Sequence, residues 1–458
     1  MEINSLYIDS VTKIFHQVGG KSIMTTETLN ISEAQLVDYS KAQNEPSWMT
    51  ELRQKALKLT ETLEMPKPDK TKLRKWDFDA FKQHHVESKS YNDVSELPES
   101  VKNIIDIENS KNLIIQHNND LAFTQVSEQA NHNNVIIEGL SKALQDHSEL
   151  VEKYLMKDAV TVDEHRLTAL HTALLNGGVF VYVPKNVVVE DPIQYVVLHD
   201  NENASLFNHA IIVTEESAEV TYVENYLSTA SGEGNQVNII SEVIAGANSN
   251  ITYGSVDYLD KGFTGHIIRR GVTAADASIN WALGLMNEGS QIIDNTTNLI
   301  GDRSTSELKS VIVGTGDQKI NLTSKIVQYG KETNGYILKH GVMRENASSV
   351  FNGIGYIKHG GTKSIANQES RVLMLSEHAR GDANPILLID EDDVEAGHAA
   401  SVGRVDPEQL YYLMSRGISQ KEAERLVIHG FLDPVVRELP IEDVKRQLRE
   451  VIELKVNK

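Results

Sequence analysis

The stretch EDDVEAGHAASVG, residues 391–403, gathers Glu391, Asp392, Asp393, Glu395 and His398 in one short run. Carboxylate oxygens and a neutral imidazole suit Fe(II), Mn(II) or Zn(II) better than a soft metal. Three readings follow: a metal site, half of a site shared with another chain, or a solvated turn. Glu391 to Asp393 are expected on a turn, with diverging side chains that make an acidic tip. His398 differs, because it lies among Gly397, Ala399, Ala400 and Ser401, small residues that permit close approach of another chain. It is the one candidate metal ligand taken from the run. The chain has no cysteine. That excludes disulfides, thiolate zinc sites, cysteine nucleophiles and any iron–sulfur cluster held by its own thiolates.

Other chemistry is sparse. GYIKHGGTKS, residues 355–364, approaches a phosphate-binding loop but displaces the lysine from the required Gly-Lys-Ser/Thr order. Neither a GxSxG elbow nor an HExxH pair occurs. Glu164, His165 and His171 fall on one expected helix, but the two histidines are six apart and read as surface or packed residues. Glu377, His378, Arg380 and Asp382 read as a solvated turn after a strand. A carbohydrate-active enzyme would need paired carboxylates beside exposed aromatic platforms. Aromatic residues make up only 6% of this chain, so that reading stands as a rival from another class.

The elements that would position these residues come in three blocks. A chain of 458 residues predicts two or three domains. A net charge of −21 argues against a nucleic-acid surface. The N-terminus shows no secretory pattern and no run is long and apolar enough to span a membrane, so a cytoplasmic protein is expected. In the first block, PSWMTELRQKALKLTETLEMP places Trp48, Leu52, Ala56, Leu59 and Leu63 on one helical face. Residues 69–110 look like a long connection. NLIIQHNNDLAFTQVSE reads as a hairpin turning at Asn118, Asn119 and Asp120. SKALQDHSELVEKYL and VDEHRLTALHTALLNGG read as helices, the second stopped by Gly177 and Gly178.

At Gly178 the chain turns to β-branched and aromatic runs broken by Gly, Asn, Asp and Ser. Segments beginning at Lys261, Ser290, Lys319 and Ser348 are 29 residues apart, and Gly271, Gly301, Gly330 and Gly360 close them at similar spacing. A repeat of this length made of strand-like pieces suggests a solenoid, with an antiparallel meander or sandwich as the alternative. The tail returns to helix. Asp406 and Pro407 open one helix that ends at Gly417; Ser419 and Glu422 open a second, expected to stop at Gly430. A third places Val444, Leu448, Val451 and Ile452 on one face. An open solenoid end is an edge hazard, so a helical cap is expected there.

DVEAGHAASVGRVDPEQLYYLMSRGISQKEAERLVIHGFLDPVVRELP resembles the tail of the SufB/SufD family of iron–sulfur cluster assembly proteins, and the SufD branch of it more than the SufB branch. ESRVLMLSEHARGDANPILLI, HRLTALHTALLNGGVFVYVPKNVVVEDPI and EPSWMTELRQKALKL extend the resemblance over nearly the whole chain. It implies a mainly β fold: a right-handed parallel β-helix core over 178–398, a mainly helical N-terminal domain over 1–177 and a C-terminal helical domain over 399–458. It implies a non-catalytic scaffold that pairs with SufB through the β-helix, or with a second copy when isolated. The C-terminal helices would dock the ATPase SufC, with Tyr411, Tyr412, Leu426, Val427 and Phe431 as contacts. Nucleic acid and membrane are not among the implied partners. The family's SufB cysteine falls on Ala379, and a cysteine found two places before the interface histidine in some SufD proteins falls on Ala396. The resemblance thus leaves His398 as at most one donor to iron or a transient cluster shared with SufB, and no cofactor held stably by this chain alone. An atypical SufB paralogue is a second alternative, disfavoured by the missing cysteine.

Overall fold

A computed structural model of the protein describes residues 31–103, 110–439 and 441–457. Two helices open the described chain, α1 (Glu33–Ala42) and α2 (Ser47–Leu59). The long connection that follows holds little regular structure up to the single-turn helix α3 (Glu99–Lys102). The hairpin is present: β1 (Asn112–His117) and β2 (Asp120–Gln125) pair antiparallel, and Asn118 adopts φ 51° at the turn. Helix α4 (Glu128–His132) and strand β3 (Ile136–Gly139) come next. The expected second helix is broken at His147 into α5 (Leu140–Asp146) and α6 (Ser148–Tyr154). Helix α7 (Arg166–Leu174) ends shortly before Gly177, which already belongs to β4 (Gly177–Val183).

From β4 onward the chain winds as a parallel β-helix of two sheets. One holds β4, β6 (Leu206–Thr214), β8 (Asn235–Ala245), β10 (Phe263–Thr273), β12 (Ser290–Leu299), β14 (Lys319–Gln328), β16 (Ser348–Ile357) and β18 (Arg380–Ile389), with β3 antiparallel on β4. The other holds β1, β5 (Ile193–His199), β7 (Glu219–Ser228), β9 (Asn250–Tyr258), β11 (Ser278–Leu285), β13 (Thr305–Gly314), β15 (Asn334–Met343), β17 (Ile365–Met374) and β19 (Glu395–Arg404), with β2 antiparallel on β1. The sequence repeat is real in the upper coils, where Ser290, Lys319 and Ser348 each begin a strand and Lys319 pairs with Ser348. Gly271 is the exception. It lies inside β10, whereas Gly301, Gly330 and Gly360 follow strand ends at one corner. There Gly330 sits against the Gly301 carbonyl so closely that a Cβ would overlap it.

The same corner carries a second signal, two or three residues after the glycines. Ser217, Asn248, Asp276, Arg303, Glu332 and Lys363 all have φ between 56° and 59°. Each such residue costs on the order of 1 kcal/mol. Each also aims its N–H at a carbonyl of the next coil, as in Asn248 to Ala275 O at 2.8 Å and Glu332 to Thr362 O at 2.8 Å. The corner is strained locally and hydrogen-bonded between coils, so it forms only when coils stack.

Alternate residues of each strand face the lumen. Inside lies one apolar cluster that includes Tyr222, Tyr253, Trp281, Leu308, Ile337 and Phe351. The outer faces are covered differently. Helix α8 (Pro407–Ser415) leads to α9 (Gln420–Glu438) and α10 (Glu442–Asn457). Their Ile428, Leu432, Val436, Val444 and Leu448 pack on Val223, Ala282, Val311, Leu338 and Val342 of the odd-numbered strands. Gly254 and Gly284 leave room for Val444 and Leu448. The C-terminal helices therefore cover the side of the solenoid rather than capping its end. The N-terminal connection straps the other face: Asn321 donates to Asp69 O at 2.8 Å and to Thr71 Oγ1 at 2.7 Å, and Lys70 reaches Asn384.

Helix α9 also corrects an expected boundary. It passes through Gly430 and Pro434 to Glu438. Gly430 is absent from the left-handed conformations that stop helices, whereas Gly417 has φ 85°. Burial of Leu432, Val435 and Val436 holds the helix together beyond Gly430. The β-helix likewise continues past residue 398, to Arg404 at the end of β19.

Candidate functional site

Strands β18 and β19 form the last coil, and no further strand among the described residues pairs with either. Strand β19 is exposed along almost its whole length, in contrast to the buried pattern of the strands below. Leu388, Ile389 and Val402 are each more than 40% exposed. This end presents unpaired backbone groups, the condition under which strands recruit another chain.

His398 sits on β19 in register with Gln368, which is in register with Ile337. The three share a lumen-facing column, and His398 is its uncovered top residue. The acidic run divides as the turn requires. Asp392 and Asp393 are exposed, but Glu391 folds back to accept the N–H of Gly360 at 2.9 Å, and those bonds lower its pKa. Glu391 is therefore a loop clamp. Among the described residues, no three His, Cys, Asp or Glu side chains converge as a metal site. Ala396 is exposed on β19 and Ala379 is buried just before β18.

GYIKHGGTKS runs from the end of β16 through a corner into β17, with no helix behind it to bind phosphate. His165 caps α7, its Nδ1 accepting from Thr168 N at 3.3 Å. His171 is buried and stands 3.0 Å from His209, which stands 3.0 Å from Glu242. His209 and Glu242 were not singled out in the sequence, where each occupies an ordinary strand position. Arg380 pairs with Asp382 at 3.2 Å on the exposed coil.

The tail residues separate into two groups. Tyr411 and Tyr412 on α8 are 74% and 57% exposed, and α8 buries none of its residues. Leu426 on α9 is exposed and Val427 half-buried. Phe431 is different: its ring stacks on His340 at 4.9 Å and its carbonyl accepts from His340 Nδ1 at 3.0 Å. It packs α9 onto the solenoid.

Residues 197–431 match the model of the SUF system FeS cluster assembly SufBD core domain, and residues 35–195 that of the SufBD protein N-terminal region. The chain belongs to the SufBD family of iron–sulfur cluster assembly proteins. It is 56% identical over 430 residues to the iron–sulfur cluster assembly protein SufD of Bacillus subtilis, covering 93% of this chain and 98% of that one. An iron–sulfur cluster assembly SufBD family protein of Staphylococcus epidermidis is 26% identical over 424 residues, 90% of each chain. One from Staphylococcus haemolyticus is 26% identical over 417 residues, 88% of this chain and 89% of that one. No helix among the described residues is long and apolar enough to cross a membrane.

Proposed function

We propose that this chain is a non-catalytic scaffold subunit of a cytoplasmic SufB–SufC–SufD complex, in the SufD position. The observation that carries the reading is the uncovered last coil. A β-helix with both faces covered and one bare strand pair is built to continue its sheets into a partner, here SufB, or a second copy when isolated. His398 stands at that edge without companion ligands among the described residues of its own chain. Its imidazole would be one donor to iron or to a nascent cluster whose thiolates come from SufB; imidazole replaces thiolate at iron in known clusters. The cluster is cargo of the complex and is not retained by this chain alone. SufC would dock on the projecting α8 and the exposed side of α9, with Tyr411, Tyr412 and Leu426 as anchors and Val427 at the margin. Phe431 is kept as a packing residue.

Co-expression with SufB and SufC, followed by native mass and iron analysis, tests the assembly. A complex containing one copy of this chain is expected; failure to co-purify refutes the reading. His398→Ala in that complex is expected to lower cluster yield without dissociating the subunits. Unchanged yield and iron content would reduce His398 to an edge residue. Substrate turnover by the purified chain would support the carbohydrate-active rival instead.

A further inference from the structure

Several cations on the coils are answered by the chain itself. In the lumen, Arg269 meets Glu224 at 3.0 Å and Asp257 at 2.8 Å. On the outer face of the even-numbered sheet, Arg270 meets Glu164 at 3.2 Å and Asp294 at 3.3 Å. Lys70, on the N-terminal strap, differs. It is exposed, its ammonium reaches the carboxamide oxygen of Asn384, and no carboxylate among the described residues pairs with it.

Its placement is held from several sides. Lys70 has φ 56°, a left-handed conformation that side-chain-bearing residues rarely adopt. The Asn321 carboxamide grips the residues on both sides of it, Asp69 through its carbonyl and Thr71 through its hydroxyl. The turn is thus pinned to β14, and the side chain of Lys70 runs on to β18 at the last coil. Beneath the ammonium lies a ladder of carboxamides on three successive strands of that sheet. Asn384 Nδ2 donates to Asn352 Oδ1 at 2.9 Å, and Asn352 Nδ2 donates to Asn321 Oδ1 at 3.2 Å. Each of these rungs turns its donor toward the base and its acceptor toward the open end. A further coil would place a donor over Asn384 Oδ1; at the uncovered end the strap puts Lys70 there instead. An ammonium has three N–H donors, so those not given to Asn384 can meet a group above the last coil. Asp382, which faces outward two residues before Asn384, is already paired with Arg380 at 3.2 Å.

We propose that Lys70 is a contact of the open end: it receives a carboxylate from the outer face of the partner strand that continues the even-numbered sheet, opposite Asn384. The proposal rests on the reading that SufB covers this end, and adds what the covering edge must carry. Asn384 Oδ1 has no hydrogen to offer, so the incoming group must accept from Lys70. A charged acceptor also answers the cation that the chain leaves unpaired. Held by Asn384 and by the turn, the ammonium has little side-chain freedom left to lose on pairing. The strap thereby brings the N-terminal block into an interface otherwise built from the solenoid.

Titration of the full chain onto immobilised SufB, at low and high salt, tests the contact. Lys70→Met should weaken pairing by about threefold to fivefold at low salt, the effect of one rim ion pair, and should flatten the salt dependence. Lys70→Glu should weaken it further, by about tenfold or more. Both variants should keep the melting midpoint of the free chain. Lys82→Met is the control: it removes a strap cation that donates to Glu202 O near the base, and pairing should not change. Carbodiimide coupling of the unaltered complex should join Lys70 to an Asp or Glu of SufB, read by peptide mass spectrometry. An unchanged affinity in Lys70→Met, an equal loss in Lys82→Met, or a complex whose carbodiimide cross-links omit Lys70 would each overturn the contact and leave the pairing at the open end standing. Failure of the unaltered chain to pair with SufB at all would overturn both.

Discussion

The buried pair His209 and Glu242 predicts a defined loss of stability above neutral pH. Asn238 fixes the hydrogen-bond directions: its Nδ2 donates to Leu167 O, so its Oδ1 accepts from Nδ1 of both His171 and His266. His171 Nε2 must then accept from His209 Nδ1, which leaves His209 Nε2 as a lone pair facing Glu242 Oε1 at 3.0 Å. A proton has to lie between them, or two acceptors would oppose each other with both residues fully buried. Burial pushes Glu242 up to about 8, against the bonds from Met156 N and Val160 N and the nearby Arg270 charge; burial draws His209 down to about 3. The raised Glu242 contributes stability present below its ordinary value of 4.5 and lost as pH rises toward 8. The lowered His209 contributes stability present above its ordinary 6.5 and lost as pH falls. The two cancel between those ordinary values. From 6.5 to about 8 only the Glu242 loss remains, about 1.4 kcal/mol per pH unit, or about 2 kcal/mol in all. Glu242→Gln keeps a donor toward His209 but turns an N–H against Met156 N. It should therefore cost on the order of 1–3 kcal/mol at every pH while removing the slope. Denaturant unfolding of both proteins across this range, compared as a difference, isolates the pair from other titrating groups. An equal fall in both would refute the shared proton.

Four further outcomes follow from the packing. Tyr411→Ala with Tyr412→Ala should weaken SufC capture by about 30-fold or more if each anchor is worth about 1–2 kcal/mol, with an unchanged melting midpoint. Deleting the tail is a poorer test, because it would strip Ile428, Leu432 and Leu448 from the sheet they cover. Phe431→Ala should instead destabilise the free chain by about 2 kcal/mol, read by denaturant unfolding. Gly330→Ala must displace the Gly301 backbone and should cost about 1–3 kcal/mol by the same measurement. Lys455→Met orphans three carbonyls and should increase hydrogen exchange of the amides of α10.

The solenoid was legible because coil length is a physical constant of the stack. Ser290, Lys319 and Ser348 begin equivalent strands, so the same turn chemistry recurs at the same distance. Gly271 misled because a glycine inside a strand and one at a corner are the same letter; here it makes room for Ile279 and Trp281. The glycines marked this corner, but its left-handed position was missed because Ser217, Asn248, Asp276, Arg303, Glu332 and Lys363 share a backbone angle and no side-chain type. The aromatics of α8 stood out by type, but which face of the helix is free came only with the fold. The place of Phe431 was equally illegible, since only the fold brings it to His340, 91 residues away. The charges inside the lumen were illegible for a similar reason. A lysine or glutamate in a strand reads as the solvent face until register shows which way the alternation runs.

The two ends of the stack obey different rules, and the difference bears on how the chain would meet a partner. At the base, β2 and β3 turn back antiparallel on β1 and β4, and both sheets acquire a non-continuing strand. At the other end the chain had two amphipathic helices available and spent them on the side of the odd-numbered sheet. Covering the side stiffens the coils; leaving the end bare keeps about ten residues of unpaired strand on each sheet. Bare strand edges of that length are tolerated when a partner regularly covers them. The side chains fit such use: β19 carries Gly397, Ala399, Ala400 and Ser401 around His398, small enough for a second backbone to approach the imidazole. Charged gatekeepers such as Lys at these positions would block that approach. Ala400→Lys should accordingly abolish pairing with SufB, or with a second copy, while leaving the melting behaviour of the free monomer unchanged.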